Sequence, residues 1–188
     1  VSDAVLSVSQ AEAATVIQRL GAVPERVDVV VPGVDVELFH PVPGEHSPSF
    51  VVAARLEPLK GVDLAIRALA LVPETIRPGL HVLGAPSGAY PGYDRELQDL
   101  AEELGVAHQV RFTGAVSRAQ LARCFATATA VLVPSHSESY GLTALEASAC
   151  AVPVIASGAG GLSEVVHDEV TGLIVAHRDP RQWADAIT

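Results

Sequence analysis

Basic side chains are scarce: 12 Lys and Arg stand against 22 Asp and Glu in 188 residues, for a formal charge of −10. Binding along nucleic acid or to anionic lipid requires dense cationic side chains, so both are excluded as bulk partners, and an anionic ligand must meet a local cationic site. Cysteine is also sparse. Cys124 and Cys150 are 26 residues apart, with no Cys-x-x-Cys pair and no histidines at zinc-finger spacing. Neither a disulfide framework nor a structural metal is signalled, and reduced thiols of a cytosolic compartment are the expectation. The longest uncharged run, Ala147 to Ser163, is broken by Pro153, Gly158, Gly160 and Gly161 and does not read as a membrane helix. There is no His-Glu-x-x-His, no Gly-x-Ser-x-Gly and no Gly-x-Gly-x-x-Gly opening a βα unit. Metallohydrolase, serine-hydrolase and dinucleotide-dehydrogenase chemistry therefore lack their signatures.

What is present is an apolar fraction of 49%. A chain of this size buries about 70% of its unfolded surface, enough for one core and part of a second unit. Apolar runs of strand length recur at Ala4–Val8, Val27–Val31, Phe50–Ala53, Leu80–Leu83, Val110–Phe112, Ala130–Val133, Val152–Ile155 and Leu173–Val175. Between them, Val62–Leu71, Arg95–Leu104, Arg118–Ala126 and Leu142–Cys150 space apolar residues by three and four. Strands alternating with helices predict an α/β fold, a doubly wound, Rossmann-like parallel sheet. Phe39–Pro48, with three prolines, a glycine and two histidines and neither periodicity, reads as a linker. A boundary near residue 42 follows, with residues 1–42 as the trailing segment of a preceding domain and 43–188 as the main one. The first residues already read as a strand without an initiating Met, so upstream sequence is expected.

Two loops concentrate chemistry. Arg55-Leu56-Glu57-Pro58-Leu59-Lys60-Gly61 leaves a strand and enters a helix, placing two cations at the edge of the sheet where open α/β folds bind ligands. A planar guanidinium and a mobile ammonium suit a diphosphate, though the segment is no Walker loop because Gly-Lys-Ser/Thr is missing; solvated surface cations are the plainer alternative. Pro134-Ser135-His136-Ser137-Glu138-Ser139-Tyr140-Gly141-Leu142-Thr143-Ala144-Leu145-Glu146 leaves another strand and enters a helix near Gly141. Free amides and the macrodipole at that helix start favour a phosphate. Glu138 and Glu146, eight residues apart, would repel the phosphate unless they accept from neutral hydroxyls, and a phosphate flanked by polyols is a sugar nucleotide. The alternative is that Glu138 is an acid of the N-cap region and Glu146 an exposed helix residue. His136 beside Glu138 reads as a loop residue without an acid–base role. Gly158-Ala159-Gly160-Gly161 follows the next strand and requires a close backbone approach at the same edge.

Together, Arg55-x4-Lys60, Pro134-Ser135, Glu138-x7-Glu146, Gly160-Gly161-x2-Glu164-Val165-Val166, Val31-Pro32-Gly33-Val34-Asp35 with Phe39, and Thr171-Gly172-Leu173-Ile174-Val175 resemble the C-terminal half of retaining GT-B glycosyltransferases of family four. The likeness covers nearly the whole chain, and the run from Ser135 to Leu142 with Trp183-Ala184-Asp185-Ala186 is similar to members that join N-acetylglucosamine to inositol phosphate. The resemblance implies that the chain is the donor-binding half of a transferase, lacking its final helix and inactive alone. Its donor is a nucleotide diphosphate sugar, UDP-sugar before GDP-sugar, with no cofactor and, without an Asp-x-Asp, no metal. Arg55, Lys60 and Glu138 are then catalytic. Val116, Glu138, Ser139, Tyr140, Gly141, Leu142, Thr143 and Glu146 bind donor, with Glu138 on the sugar, Glu146 on the ribose and the Val116 backbone on the base. The acceptor, a small molecule, glycan or lipid, is held mainly by an N-terminal domain, and the setting is cytoplasmic, peripheral to the membrane if the acceptor is lipid. A nucleotide-sugar epimerase of the same architecture and a non-catalytic binding module are the alternatives. The sequence departs from the family pattern at Ala54, Ala151 and Glu169, positions commonly Gly, and at Ser148, commonly Met.

Overall fold

The computed structural model describes residues 3–44 and 49–188. In chain order the elements are β1 (Val5–Ser7), α1 (Gln10–Leu20), β2 (Val27–Val29), β3 (Ser49–Ala53), α2 (Val62–Leu71), β4 (Gly79–Leu83), α3 (Tyr93–Glu103) and β5 (Val110–Gly114). They continue as α4 (Arg118–Ala126), β6 (Ala130–Val133), α5 (Leu142–Ala149), β7 (Val154–Ser157), α6 (Leu162–Val165), β8 (Gly172–Val175) and α7 (Pro180–Ile187). All eight strand-like runs of the sequence are strands, within two residues at each end.

β3 to β8 form one parallel sheet in the order β5-β4-β3-β6-β7-β8, while β1 and β2 pair separately. Counted within the large sheet, this is the doubly wound order 3-2-1-4-5-6, and the order reverses between β3 and β6. The chain winds outward from that junction in both directions, so the loops leaving β3 and β6 diverge and open a crevice at their carboxyl ends.

Side chains alternate across the strands and feed two cores. Phe50 and Val52 of β3 and Leu132 of β6 join Ile66, Leu97 and Trp183 beneath α2, α3 and α7. Val51 and Val131 join Phe125, Ala147, Leu162 and Phe39 beneath α4, α5 and α6. Strands buried on both faces explain why β6 and β7 read as continuous apolar runs. Trp183 is wholly buried, and its Nε1 donates to the carbonyl of His177 at 3.2 Å. No helix among the described residues is long and apolar enough to cross a membrane.

Two elements depart from expectation. Phe39, assigned by composition to a linker, is fully buried against Phe125 with ring centroids 6.3 Å apart. Local proline content therefore misled, because one aromatic anchors the segment to the core. Residues 45–48 of that linker lie outside the described residues. Helices α1 and α7 had no counterpart in the sequence periodicity, yet both carry start signals: Ser9 accepts from the amide of Glu12, and Asp179 precedes Pro180 and accepts from Arg181.

Among the described residues, the two non-glycine residues with left-handed backbone are Ala151 (φ 58°) and Glu169 (φ 59°). Both stand where the family pattern usually has glycine. Ala151 follows α5 in a Schellman turn, with Val152 N–H donating to Ala147 and Ala151 N–H to Ser148. A Cβ there carries a steric penalty that glycine lacks, partly offset by glycine's greater freedom in the unfolded chain. Ala151→Gly is expected to stabilise the fold by about 0.5–1 kcal/mol in denaturant titration; a loss of stability would remove the strain assignment.

Candidate functional site

The site is assembled from loops at the carboxyl edge of the sheet, and backbone contacts fix them to one another. After β3 the chain passes Ala54 and Arg55, makes a single 3-10 turn at Pro58–Lys60, and enters α2 through Gly61. Gly61 has φ +67°, and a Cβ there would collide with the carbonyl of Pro134. The same crossing is tied by the His136 amide donating to Leu59 at 2.8 Å and by Arg178 Nη1 donating to Pro134 at 2.6 Å. Gly160, at φ +57°, lies so close to the carbonyl of Glu138 that only hydrogen fits, and that carbonyl accepts from Gly161 N–H at 3.0 Å. The close approach anticipated for the glycine-rich turn is thus made to the Glu138–Ser139 loop, which it supports from below.

At the junction of β3 and β6 lies a cavity of about 290 Å3, lined by Arg55, Lys60, Glu138, Ser139, Tyr140, Gly141, Leu142 and Thr143. All eight are among the site residues expected from the sequence, whereas Glu146 lies outside the lining. Val116 also lies outside that lining. It lines an adjoining cavity of about 430 Å3 that shares Ala53, Ala54, Arg55 and Thr143 with the first, so the two form one continuous groove along the sheet edge. Val8 and Pro32, from the first 42 residues, complete a wall of the first cavity. α5 starts at Gly141 with no side-chain cap, leaving the amides of its first turn without an intrahelical acceptor.

Electrostatically, Arg55, Lys60 and Arg118 each meet a carboxylate, whereas Arg178 meets the carbonyl of Pro134. Lys60, the single lysine of the chain, places Nζ 2.8 Å from Oε2 of Glu138, with both side chains mostly withdrawn from solvent. Arg55 Nη2 lies 3.2 Å from Oε1 of Glu57, with its own side chain 69% exposed at the groove rim. Glu146 is buried, not exposed as the plainer sequence reading had it, and outside the lining of both cavities. Its Oε1 accepts from Arg118 Nη1 at 2.9 Å, and Arg118 in turn lies 5.0 Å above the Phe39 ring. Burial pushes the Glu146 carboxyl above its ordinary range, and Arg118 opposes that rise. His136 is exposed, and desolvation followed by the charge of Arg178 lowers its pKa. Four participants escaped the sequence analysis: Glu57, Arg118, Arg178 and Ser9. Arg118 follows Ser117 in a capping box with Gln120, a signal that fixes where α4 begins and hence where Arg118 stands.

An acid with a folded pKa above its unfolded value binds protons more tightly when folded, so stability falls as pH rises through that window. Removing Arg118 widens the window upward. Arg118→Ala is expected to show only the loss of its contact with Phe39 at pH values where Glu146 is protonated in both folded proteins, and to become less stable by about 1 kcal/mol or more beyond that as pH rises past the carboxylate range. The check is thermal unfolding across pH 3–8; a pH-independent deficit would show that Arg118 acts through packing on Phe39 alone.

The family model described as "Glycosyl transferases group 1" matches residues 37–188. A D-inositol 3-phosphate glycosyltransferase of Xylanimonas cellulosilytica is 41% identical over 202 residues, covering 99% of this chain and 48% of that protein. The enzyme of the same name from Mycobacterium marinum is 42% identical over 188 residues, covering 94% of this chain and 39% of its own length. The chain thus spans less than half the length of these curated relatives. Among solved structures, Anabaena HepE in complex with UDP and glucose superposes with a TM-score of 0.90 at 26% identity, covering 99% of this chain and 52% of that one. Sucrose-phosphate synthase of Thermosynechococcus elongatus superposes with a TM-score of 0.90 at 29% identity, over 100% of this chain and 48% of the other. With its doubly wound sheet, its switch-point groove and this family match, the chain belongs to the group 1 glycosyl transferases and has the Rossmann-like architecture of one half of a GT-B fold.

Proposed function

We propose that this chain forms the donor half-site of a glycosyltransferase that moves a sugar from a nucleotide diphosphate sugar, a UDP-sugar before a GDP-sugar, to an acceptor hydroxyl with retention at the anomeric carbon. The observation that carries the reading is the juxtaposition, in one cavity at the sheet's switch point, of Lys60, Glu138 and the uncapped start of α5. The diphosphate would lie against Lys60 and Arg55, with its distal phosphate on the amides from Tyr140 to Thr143. Ser139 and Glu138 would face the sugar. The nucleoside would run along the groove toward the backbone of Val116, and the ribose would lie on the side of α5 that carries Glu146. The UDP bound to HepE supports uridine as the base.

Transfer builds negative charge on the departing diphosphate, and fixed cations and amide dipoles that meet it lower the barrier. Lys60 serves best when Glu138 keeps it oriented, since the ion pair withholds the ammonium from other geometries. Glu138 is held by Lys60 and is given no nucleophilic role; its free oxygen is left for a sugar hydroxyl. No cofactor is required by this reading. The names of the curated relatives support a phosphorylated inositol as acceptor, bound mainly by a preceding domain, and the free Cys124 and Cys150 fit a reducing, cytoplasmic setting.

Lys60→Ala in the intact enzyme is expected to lower turnover by about a hundredfold or more with the fold retained, the scale of losing one preorganised charge at a leaving group. Near-normal turnover would remove Lys60 from the reaction. Calorimetric titration with UDP, GDP and ADP ranks the base. Because Lys60 is the single lysine of these 188 residues, UDP is also expected to shield it from amine-reactive labelling, read by peptide mass spectrometry.

A further inference from the structure

Glu164, the acid of the Gly160-Gly161-x2-Glu164 motif, is absorbed by none of the donor contacts above. It stands in α6, immediately behind the glycine turn that supports Glu138 and Ser139. Its two carboxylate oxygens reach across the chain to the start of α1, where Oε2 accepts from the amide of Gln10 at 3.0 Å and Oε1 from the amide of Ala11 at 2.9 Å. One residue earlier, the buried Ser9 hydroxyl donates to the carbonyl of Ser139 at 2.6 Å while accepting from the amide of Glu12. A second stitch between the same two segments is thus made at the donor loop itself. Val8 precedes this joint, and Val8 and Pro32 are the wall that residues 3–44 contribute to the cavity.

We propose that Glu164 is a positioning residue for the donor. By binding the first amides of α1 with both oxygens, it holds Val8 and Pro32 over the cavity and keeps Ser139 in register with Ser9, so that donor affinity depends on a joint that touches no donor atom. The inference rests on the donor-site reading above. Its physical basis is a population argument: a site that binds only when its wall is in place loses apparent affinity in proportion to the fraction of time the wall is displaced. Both oxygens are needed. An amide at this position offers one acceptor and turns donors toward backbone N–H groups, so the isosteric change unmakes the joint without removing bulk.

The test is UDP titration by calorimetry on the intact protein, comparing parent, Glu164→Gln, Ser9→Ala and a control on the same helix, Ser163→Ala, with hydrogen exchange of the Gln10, Ala11 and Glu12 amides alongside. Glu164→Gln is expected to weaken UDP about fivefold to tenfold, the scale of losing a charged cap at a helix start. UDP is expected to slow exchange of those three amides in the parent and in Ser163→Ala but not in Glu164→Gln. Equal UDP affinity and equal UDP-dependent protection in parent and Glu164→Gln would overturn the positioning role while leaving the donor site standing. No UDP binding by the parent would instead overturn the donor reading, and this proposal with it.

Discussion

The site depends on one constraint, the reversal of strand order between β3 and β6. A parallel sheet wound outward in both directions cannot close over that junction, so the fold leaves a crevice there whatever the side chains are. The crevice becomes a defined groove because its rims are pressed together at backbone level. Gly61 against Pro134 joins the loop after β3 to the loop after β6, and Gly160 against Glu138 joins the loop after β7 to the latter. In both places a side chain would occupy the space of a carbonyl group. The loops are therefore tied to one another at backbone level as well as to the strands they leave.

Charge is handled with the same economy. In a chain of formal charge −10, the three ion pairs found among the described residues all involve site residues: Arg55 with Glu57, Lys60 with Glu138, Arg118 with Glu146. Exposed pairs contribute little to stability, so their value lies in orientation. Lys60 and Glu138 are mostly withdrawn from water, and each would be costly to hold in place without the other. Oε2 of Glu138 thereby fixes where the Lys60 ammonium points.

The sheet was legible because strands covered on both faces are apolar throughout, and the two loops were legible because they join such strands to amphipathic helices. Burial of Phe39 was not legible. Three prolines and a glycine around it carry the signals of a linker, and nothing local reveals that one ring finds Phe125. α1 was missed for a different reason. Only Ala13 of its eleven residues is buried, so its face toward the protein leaves almost no apolar period, and the Ser9-x-x-Glu12 capping pattern was the usable signal. Glu146 was placed on the right helix, but its burial and its pairing with Arg118 come from the packing of α4 on α5, a contact between segments some twenty-eight residues apart in sequence, as Arg118 and Glu146 show.

The boundary expected near residue 42 falls in the stretch of chain that joins the β1–β2 pair to the six-stranded sheet. It does not separate the site. Val8 and Pro32 line the cavity from one side of that boundary and Lys60 and Glu138 from the other, while Phe39 and Arg118 bind the crossing chain to α4. Apolar periodicity reports which residues share a core, whereas Arg55, Lys60 and Glu138, which line this cavity, belong to none. A cavity walled from both sides takes its shape from how those sides meet, and here they meet through the Phe39 ring in the core and through hydrogen bonds at Ser9 and Glu164. Such joints are directional and made of few groups, so one carboxylate can govern the geometry of a wall that it does not touch.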